Sequence, residues 1–431
     1  MSKIIDIIVK DIRFPTSLDN LGSDSVHVDC DYSAAYVEIF TDDEDLKGIG
    51  LTFTIGKGND LCVACIKHFK PLFLNKNITE IEKNINSLWR SCTNHSQLRW
   101  IGPEKGVIQL SVAALFNGFW DLISKYHRKP LWKYIVDLNT EDLLNKLSFT
   151  YIDDVITKEE AFNIIEGKKN NIQIATQSII KNGFPCYTTA AGWLGYSDEK
   201  MINLTKKYLS EGWTHFKMKV GQDIDRDIHR CKLVREIIGK DNLLMIDANQ
   251  AWSVKESIEN INKLKEFDLY FVEEPTNPDD ILGFKKIKNS VGGVKLATGE
   301  MCQNRIVFKQ FLENKSLDFC QIDSCRLASL NEILPILLMS SKLNIPVIAH
   351  AGGVGLCEYV QHLNIINQLI ITNNTTYLSE YAESCSEHLT NPSIIKNGHY
   401  VTPMNSGYSA IIKKDSVKKF QFPNGDYWKG K

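Results

Sequence analysis

The 431-residue sequence lacks an excess of either charge, because 50 Lys and Arg oppose 52 Asp and Glu and leave a formal net charge of −2. It has no interleaving of basic and aromatic residues, so we expect no nucleic-acid partner. No uninterrupted apolar stretch approaches the roughly 18 residues that a membrane span needs. The first residues show neither a secretory h-region nor the Arg-rich character of a transit peptide. We therefore expect a cytoplasmic protein without a membrane segment.

The sequence also lacks the cysteine pattern of a disulfide framework, since its eleven cysteines are odd in number and scattered. The one C-x-x-C, Cys62 to Cys65, lies in a helical pattern and has no second pair to complete a zinc site. The Gly56-Lys57-Gly58 run lacks the G-K-[ST] ending of a phosphate loop. We interpret both motifs as structural and the cysteines as reduced.

Two lysines in a short apolar run are the first feature that points to chemistry. Lys217 and Lys219 share one face of a predicted strand, where two buried ammonium groups are costly unless nearby groups use them. Polar residues follow at position differences of 23 to 30, about the length of one strand-helix-strand unit. They are Asp247, Glu273, Glu300, Asp323, His350 and Glu380.

Most of these residues close a short apolar run, as Leu243 to Ile246 precede Asp247. Such runs without alternation suit strands that are buried on both faces, as in a parallel sheet or barrel. Helix patterns lie between the runs. Two of them begin with the capping-box pattern, Ser253 with Glu256 and Ser329 with Glu332. The sequence therefore predicts an α/β barrel over residues 185–385.

The flanking regions lack the repeated strand-helix pattern of the barrel region. Residues 1–140 begin with predicted strands and continue with helical periodicity, which predicts a separate α+β module. We interpret residues 141–184, with a strand-like stretch at Leu147–Ile152, as a linker or insertion. Residues 386–431 are irregular, and we expect them to pack back on the first module.

Three carboxylates at equivalent points of consecutive strands would meet at one mouth of the barrel, where barrel enzymes carry their catalytic residues. Asp247, Glu273 and Glu300 would repel one another unless a divalent cation neutralises them, and ligation by oxygen alone favours Mg²⁺. Beside this cation and Lys217, we expect the pKa of Lys219 to fall from about 10.4 toward the range of a general base.

Asp323 and His350 follow neighbouring predicted strands, so we expect the carboxylate to orient the imidazole as an acid-base dyad. Lys219 on the second strand and His350 on the seventh would lie on opposite sides of a bound substrate. An acid-base pair that flanks a metal-bound carboxylate suits removal of the neighbouring proton and departure of a leaving group.

These residues resemble the motifs of the mandelate racemase group of the enolase superfamily. The shared short motifs are Lys217-x-Lys219, Asp247-Ala248-Asn249, Glu273-Glu274-Pro275, Gly299-Glu300, the Asp323/His350 dyad and Glu380. Longer strings resemble the L-fuconate dehydratases of that group. These strings span residues 13–17, 31–36, 99–106, 191–196 and 350–358.

The resemblance implies a modified TIM barrel of the (β/α)7β type beneath an α+β capping domain that the C-terminal tail completes. It implies that Asp247, Glu273 and Glu300 hold Mg²⁺. It also implies that Lys219 abstracts the C2 proton and that His350 helps the 3-hydroxyl to leave. Asp323 is implied as the dyad partner of His350, and Lys217 as the group that supplies positive charge and tunes the pKa of Lys219. Glu380 is implied as a contact of the substrate and its enediolate. The implied substrate-binding residues are Lys217, Asn249, Asp19 and Glu380.

The expected reaction is dehydration of L-fuconate, a small acid sugar, to 2-dehydro-3-deoxy-L-fuconate and water. Dehydration of another aldonic acid, and racemisation or epimerisation, are alternatives within the superfamily. An acid-sugar-binding or interaction protein without turnover is the alternative from another class. The sequence leaves open whether the chain forms a homo-oligomer. We also expect residues 19–29 and 56–59 to become ordered over the barrel mouth when the acid sugar binds.

Overall fold

The computed structural model describes residues 2–374 and 378–430. Its N-terminal part is a three-stranded antiparallel meander of order β1-β2-β3, as the strand pattern predicts, and six helices follow it. The elements are β1 (Ile4–Arg13), β2 (Ser33–Thr41), β3 (Lys47–Thr54), α1 (Asn59–Phe69), α2 (Ile78–Lys83), α3 (Ile85–Thr93), α4 (Gly106–Tyr126), α5 (Leu131–Asp137) and α6 (Thr140–Asn145).

Helix α4 is the core of this module. It packs against β3 so closely that a Cβ at Gly50 would lie 2.2 Å from the Ala114 carbonyl oxygen, which leaves room for glycine alone. Among the described residues, α4 is the one helix whose length and composition would allow it to cross a membrane. However, 83% of the apolar 18-residue stretch in this helix is buried inside the protein, as expected of a core helix.

Residues 141–183 contain helices and no strand. The prediction of a strand at Leu147–Ile152 is wrong, because these residues form bends and turns. Their backbone bonds to a helix of the barrel instead of a neighbouring strand, since Ser148 N donates to the Asn331 carbonyl. The side chain of Asn331 in turn donates to the Lys146 carbonyl. Two helices then lead into the barrel, α7 (Lys158–Lys169) and α8 (Ile172–Asn182).

The second half of the chain is a parallel barrel with strands and helices in alternation, as predicted. Its strands are β4 (Phe184–Thr188), β5 (His215–Lys219), β6 (Leu243–Asp247), β7 (Leu269–Glu273), β8 (Leu296–Thr298), β9 (Phe319–Cys320) and β10 (Ser379–Tyr381). Its helices are α9 (Asp198–Ser210), α10 (Ile224–Ile238), α11 (Val254–Leu264), α12 (Ile281–Ser290), α13 (Arg305–Glu313), α14 (Leu330–Lys342) and α15 (Leu356–Ile370).

The barrel closes through residues 346–350 and β10. Ile348 N donates to the Cys320 carbonyl, and Glu380 N donates to the Ala349 carbonyl. Strand β10 pairs in parallel with β4. The segment at 346–350 thus takes the seventh strand position with only a single bridge, Cys320 to Val347. Eight strand positions and seven intervening helices make a modified (β/α)7β barrel, which confirms the predicted fold class.

One of the two predicted capping boxes is confirmed. Ser253 Oγ accepts from Glu256 N, and the Glu256 side chain accepts from Ser253 N. The prediction at Ser329 is wrong, because its backbone has a positive φ of 69° and its hydroxyl donates to Asn117 Oδ1 at 2.6 Å. Glu332 bonds to Arg305 instead. Contacts with the N-terminal module replace the local cap here.

The C-terminal tail touches both parts of the molecule. Its elements are β11 (Ile395–Lys396), β12 (His399–Tyr400) and α16 (Lys414–Phe420). Strand β12 adds to the barrel by antiparallel pairing with β4. The last residues then reach β1, where Phe422 N donates to the Asp11 carbonyl at 2.8 Å and Trp428 Nε1 donates to the Arg13 carbonyl at 3.1 Å.

Candidate active site

Three carboxylates meet at the carboxyl ends of consecutive barrel strands. Asp247 and Glu273 are the last residues of β6 and β7 and stand opposite each other in the strand register, and Glu300 follows β8 by two residues. One oxygen of each lies within 4.8 Å of the others, and no other group of three or more possible metal ligands occurs in residues 2–374 and 378–430. The spacing in the sequence therefore predicts the cluster correctly.

The electrostatics of this triad fit a divalent cation. Asp247 and Glu273 are completely buried, and Glu273 Oε1 has no hydrogen-bond partner. Burial and the charge of Asp247 raise the pKa of Glu273 to about 8, although Lys217 lowers it. Ligation by carboxylate oxygens suits a hard ion such as Mg²⁺, so the residues present could hold it.

Both lysines of β5 face this cluster, as strand alternation predicts. Lys217 Nζ donates to Glu273 Oε2 at 2.6 Å and lies 2.8 Å from Glu380 Oε1. Lys219 Nζ donates to Asp247 Oδ2 at 2.5 Å. Lys217 is thus held rigidly among carboxylates, whereas Lys219 reaches the cavity above them.

Without a cation, the pKa of Lys219 lies above its ordinary value, so the fall expected beside a bound cation stays a prediction. Burial lowers this pKa and Lys217 lowers it further, but Asp247 and Glu300 raise it more, so the net shift is upward. The prediction assumed that the carboxylates are neutralised. A divalent cation at the triad would offset the contribution of Asp247, the largest one that raises the pKa, and would leave burial and Lys217 to act.

Asp323 and His350 form the predicted dyad. His350 Nδ1 lies 2.6 Å from Asp323 Oδ2, and His350 Nε2 lies 3.2 Å from Glu300 Oε2. Burial lowers the pKa of His350, but Glu300 and Asp323 raise it to about 10. Asp323 is itself held in place, because its Oδ1 accepts from the backbone N–H groups of Cys325 and Arg326. Asp323 therefore orients the imidazole, and the neighbouring carboxylates favour its protonated form.

Glu380 is anchored on three sides at the eighth strand position. It accepts from Thr189 Oγ1 at 2.6 Å and from Ala351 N at 2.8 Å, besides its contact with Lys217. Although burial opposes the shift, Lys217 and His350 hold the pKa of this carboxyl well below its usual range. Glu380 therefore presents a fixed negative charge to the cavity.

A cavity of about 280 Å³ lies between the barrel mouth and the N-terminal module. Its barrel wall contains the predicted residues Lys219, Asn249, Glu300, Asp323, His350 and Glu380. Its other wall comes from the N-terminal module and contains Asp24, His27, Tyr32, Phe53 and Lys57. The base and the acid candidates thus share one cavity with Glu300 of the carboxylate triad.

The structure does not bring Asp19 into this cavity, so its role in substrate binding stays a prediction. Asp19 ends a short 3₁₀ turn and is exposed, whereas Asp24, five residues later, lines the cavity. Sequence reasoning missed Asp24 and His27. The Asp24-x-x-His27 spacing within a Gly- and Ser-containing loop is the local signal of an Asx turn that could have indicated them.

Residues 200–416 match the protein-family model described as enolase C-terminal domain-like, which covers the triad, both lysines and the dyad. The chain belongs to the enolase superfamily. This membership agrees with the motif resemblance, and the barrel has the architecture which that resemblance implies.

Several curated relatives align with this superfamily member over nearly its whole length. Mitochondrial enolase superfamily member 1 of Xenopus laevis is 47% identical over 431 residues, which cover 99% of this chain and 97% of the relative. The protein of the same name from Homo sapiens is 46% identical over 431 residues, with the same coverage. L-Galactonate dehydratase of Hypocrea jecorina is 45% identical over 422 residues, which cover 96% of this chain and 93% of that enzyme.

Solved structures share the fold of this enolase superfamily member. The crystal structure of human mitochondrial enolase superfamily member 1 has a TM-score of 0.98 and 45% identity, and the match covers 99% of this chain and 98% of that one. The L-talarate dehydratase of Polaromonas sp. JS666, complexed with Mg and L-glucarate, has a TM-score of 0.73 at 18% identity, over 98% of each chain. The second likeness shows the fold alone.

Proposed function

We propose that this enolase superfamily member is a Mg²⁺-dependent acid sugar dehydratase, a hydro-lyase that converts L-fuconate to 2-dehydro-3-deoxy-L-fuconate and water. One observation carries the proposal. Lys219 and the Asp323-oriented His350 line the same cavity beside an acidic triad that fits Mg²⁺. A base, an acid and a site for a hard cation around one small cavity are the groups that β-elimination from a carboxylic acid needs.

In this proposal Lys219 takes the proton from C2 of the substrate. When bound, Mg²⁺ supplies the counter-charge for the three carboxylates and stabilises the negative charge that develops on the substrate carboxylate. Lys217 adds a fixed positive charge, since Glu273 and Glu380 hold its ammonium group in place.

His350 then acts on the leaving group. Its imidazolium donates a proton to the 3-hydroxyl, the C3–O bond breaks, and water leaves with that proton. The electron pair from the broken C2–H bond forms the C2–C3 double bond, and the resulting enol tautomerises to the 2-keto-3-deoxy acid. Asp323 keeps the imidazole in the orientation that this transfer requires.

L-Galactonate is the second candidate substrate. The 45% identical relative from Hypocrea jecorina bears the name L-galactonate dehydratase, which favours this acid. L-Fuconate is the 6-deoxy form of L-galactonate, so both present the same groups at C2 and C3 to Lys219 and His350. Racemisation or epimerisation, and binding without turnover, are the remaining alternatives.

A panel of aldonic acids with Mg²⁺ tests the proposal. We expect 2-keto-3-deoxy products from L-fuconate or L-galactonate, detected as semicarbazones, and no product after exhaustive chelation. Inversion at C2 without a keto acid would favour an epimerase. Ligand binding without any change at C2 would favour a non-enzymatic binding protein, and either outcome would reject dehydration.

The cytoplasmic location and the absence of nucleic-acid and membrane partners stay predictions from the sequence. A homo-oligomer stays possible on the same basis. Cell fractionation and size-exclusion chromatography with light scattering measure the location and the oligomeric state.

A further inference from the structure

A loop of the N-terminal module is organised around Asp24. Asp24 Oδ1 accepts from the backbone N–H groups of Val26 at 2.7 Å and His27 at 2.6 Å, and Asp24 Oδ2 lies 3.0 Å from His27 Nδ1. The Asp24 N–H donates back to the His27 carbonyl at 3.0 Å. Both carboxylate oxygens are therefore used inside the loop, and one of them fixes the orientation of the imidazole ring.

The same loop is docked on the barrel. Ser25 Oγ donates to the carbonyl of Ala248, the residue after Asp247, at 2.8 Å. Ser23 accepts from Gly195 N at its hydroxyl and from Leu194 N at its carbonyl. These contacts hold the loop over the carboxyl ends of β4 and β6, so His27 has a defined position above the barrel mouth.

The second imidazole nitrogen of His27 has no hydrogen-bond or ion-pair partner within residues 2–374 and 378–430. His27 lines the cavity together with Lys219 and Glu300, and about a third of its side chain is exposed, 32%. Hydrogen bonding to Asp24 raises the pKa of His27, while burial and Lys219 lower it. The cavity wall opposite the dyad thus presents an oriented imidazole nitrogen that can bond to a hydroxyl.

We propose that His27 is a specificity-determining residue, and that its Nε2 forms a hydrogen bond with a hydroxyl at the C5–C6 end of the substrate. The inference rests on the proposed function. The proposed function assigns the carboxylate to the triad, C2 to Lys219 and the 3-hydroxyl to His350. We assign the rest of the sugar chain to the cavity wall of the N-terminal module, which contains Asp24 and His27. A site built to bond a hydroxyl rejects an analogue that lacks it.

Acids of different length test this role. L-Galactonate carries hydroxyls at C5 and C6, L-fuconate carries one at C5 only, and D-threonate has the same configuration at C2 and C3 but ends at C4. We expect His27→Leu to lower kcat/KM for L-galactonate about ten-fold, the range of one lost hydrogen bond. The same variant should change kcat/KM for D-threonate by less than about two-fold, because this acid has no group at C5 or C6. An acid that is not turned over is titrated as a competitive inhibitor.

The two six-carbon acids identify the hydroxyl. If His27→Leu lowers kcat/KM for both acids, the hydrogen bond is made to the C5 hydroxyl. If it lowers kcat/KM for L-galactonate alone, the bond is made to the C6 hydroxyl. His27→Asn keeps a polar group and should retain part of the discrimination. The matched control is His229→Leu, which removes an imidazole that also pairs with a carboxylate, Asp198 at 3.0 Å, but on the exposed side of α10.

Equal losses for all three acids would mean that His27 only maintains the loop, and unchanged values for all three would mean that it does not contact the substrate. Either result overturns the inference while leaving dehydration intact. If the wild-type protein neither converts nor binds any of these acids, the proposed function itself fails, and the inference fails with it.

Discussion

At the scale of single residues, Lys219 and His350 occupy different surroundings, and this difference separates their roles. Lys219 contacts Asp247 of the triad, whereas His350 contacts Asp323 and faces Glu300 from the other side of the cavity. Removal of either side chain leaves the other with its own partner. The two proton transfers can therefore be measured separately.

We predict that Lys219→Ala loses both dehydration and exchange of the C2 hydrogen with solvent deuterium, because the base is gone. His350→Asn should lose dehydration by at least about 100-fold, the usual contribution of a positioned general acid. It should still exchange the C2 hydrogen, as followed by proton NMR of the substrate. Normal dehydration by His350→Asn, or wild-type exchange by Lys219→Ala, would show that the assigned roles are wrong.

The triad gives a second prediction at this scale. Glu300→Gln replaces one of three charged ligands. Loss of a residue that only hydrogen-bonds to a metal ligand already lowers metal affinity by about ten-fold or more, so we expect Mg²⁺ affinity to fall by more than about ten-fold here. Isothermal titration with the metal measures this without any substrate. The matched control is Glu259→Gln on the exposed face of α11. Equal Mg²⁺ affinity in the two variants would place the metal elsewhere.

At the scale of elements, the two cap segments at 19–29 and 56–59 form part of the cavity wall through Gly22, Asp24, His27 and Lys57. They are joined to the barrel by a few hydrogen bonds, such as that from Ser25 Oγ to the Ala248 carbonyl. Val26, Val28 and Lys57 of these segments are exposed, so the segments should open more easily than the buried strands beneath them. Ligand binding should therefore stabilise them selectively.

We predict that hydrogen exchange in both segments slows when an acid sugar and Mg²⁺ saturate the site, because the substrate adds contacts between the two walls. Helix α11 lies outside the cavity-lining set and serves as the internal control, with exchange expected to stay constant. Unchanged exchange in both cap segments at saturating ligand would reject their role in closure. The readout is mass spectrometry of peptides that cover each segment.

Elements also explain how much could be predicted from the sequence. The strand-end residues Asp247 and Glu273 could be placed because their positions depend on a repeated local pattern. Ser329 and the Leu147–Ile152 stretch were misread because their partners are distant in sequence, Asn117 in one case and Asn331 in the other. Local propensity is overridden where a buried polar group finds a tertiary partner.

At the scale of the whole molecule, a buried charge cluster joins the N-terminal module to the barrel. Arg305 at the start of α13 is fully buried and pairs with Glu332 of α14 at 2.9 Å and with Glu104 of the N-terminal module at 3.0 Å. Arg90 also bonds to Glu104, at 2.6 Å, and Gln109 donates to Glu332 at 2.5 Å. Arg305 and Glu104 are 201 residues apart, so no local pattern indicates the cluster.

We predict that Arg305→Met destabilises the protein by about 3–5 kcal/mol, because it leaves Glu332 buried without a cation and Glu104 with Arg90 alone. Burial already raises the pKa of Glu332 although Arg305 lowers it, so the unpaired carboxyl would be still more costly in its charged form. The triple variant Arg305→Met, Glu332→Gln and Glu104→Gln should recover most of the loss, since neutral groups carry a smaller desolvation penalty than uncompensated charges. The free energy of unfolding in urea measures both effects.

Arg226→Met is the matched control, because Arg226 pairs with Asp198 at the exposed surface, where such pairs contribute about 0–1 kcal/mol. If Arg305→Met costs no more than Arg226→Met, the cluster does not hold the two parts of the molecule together.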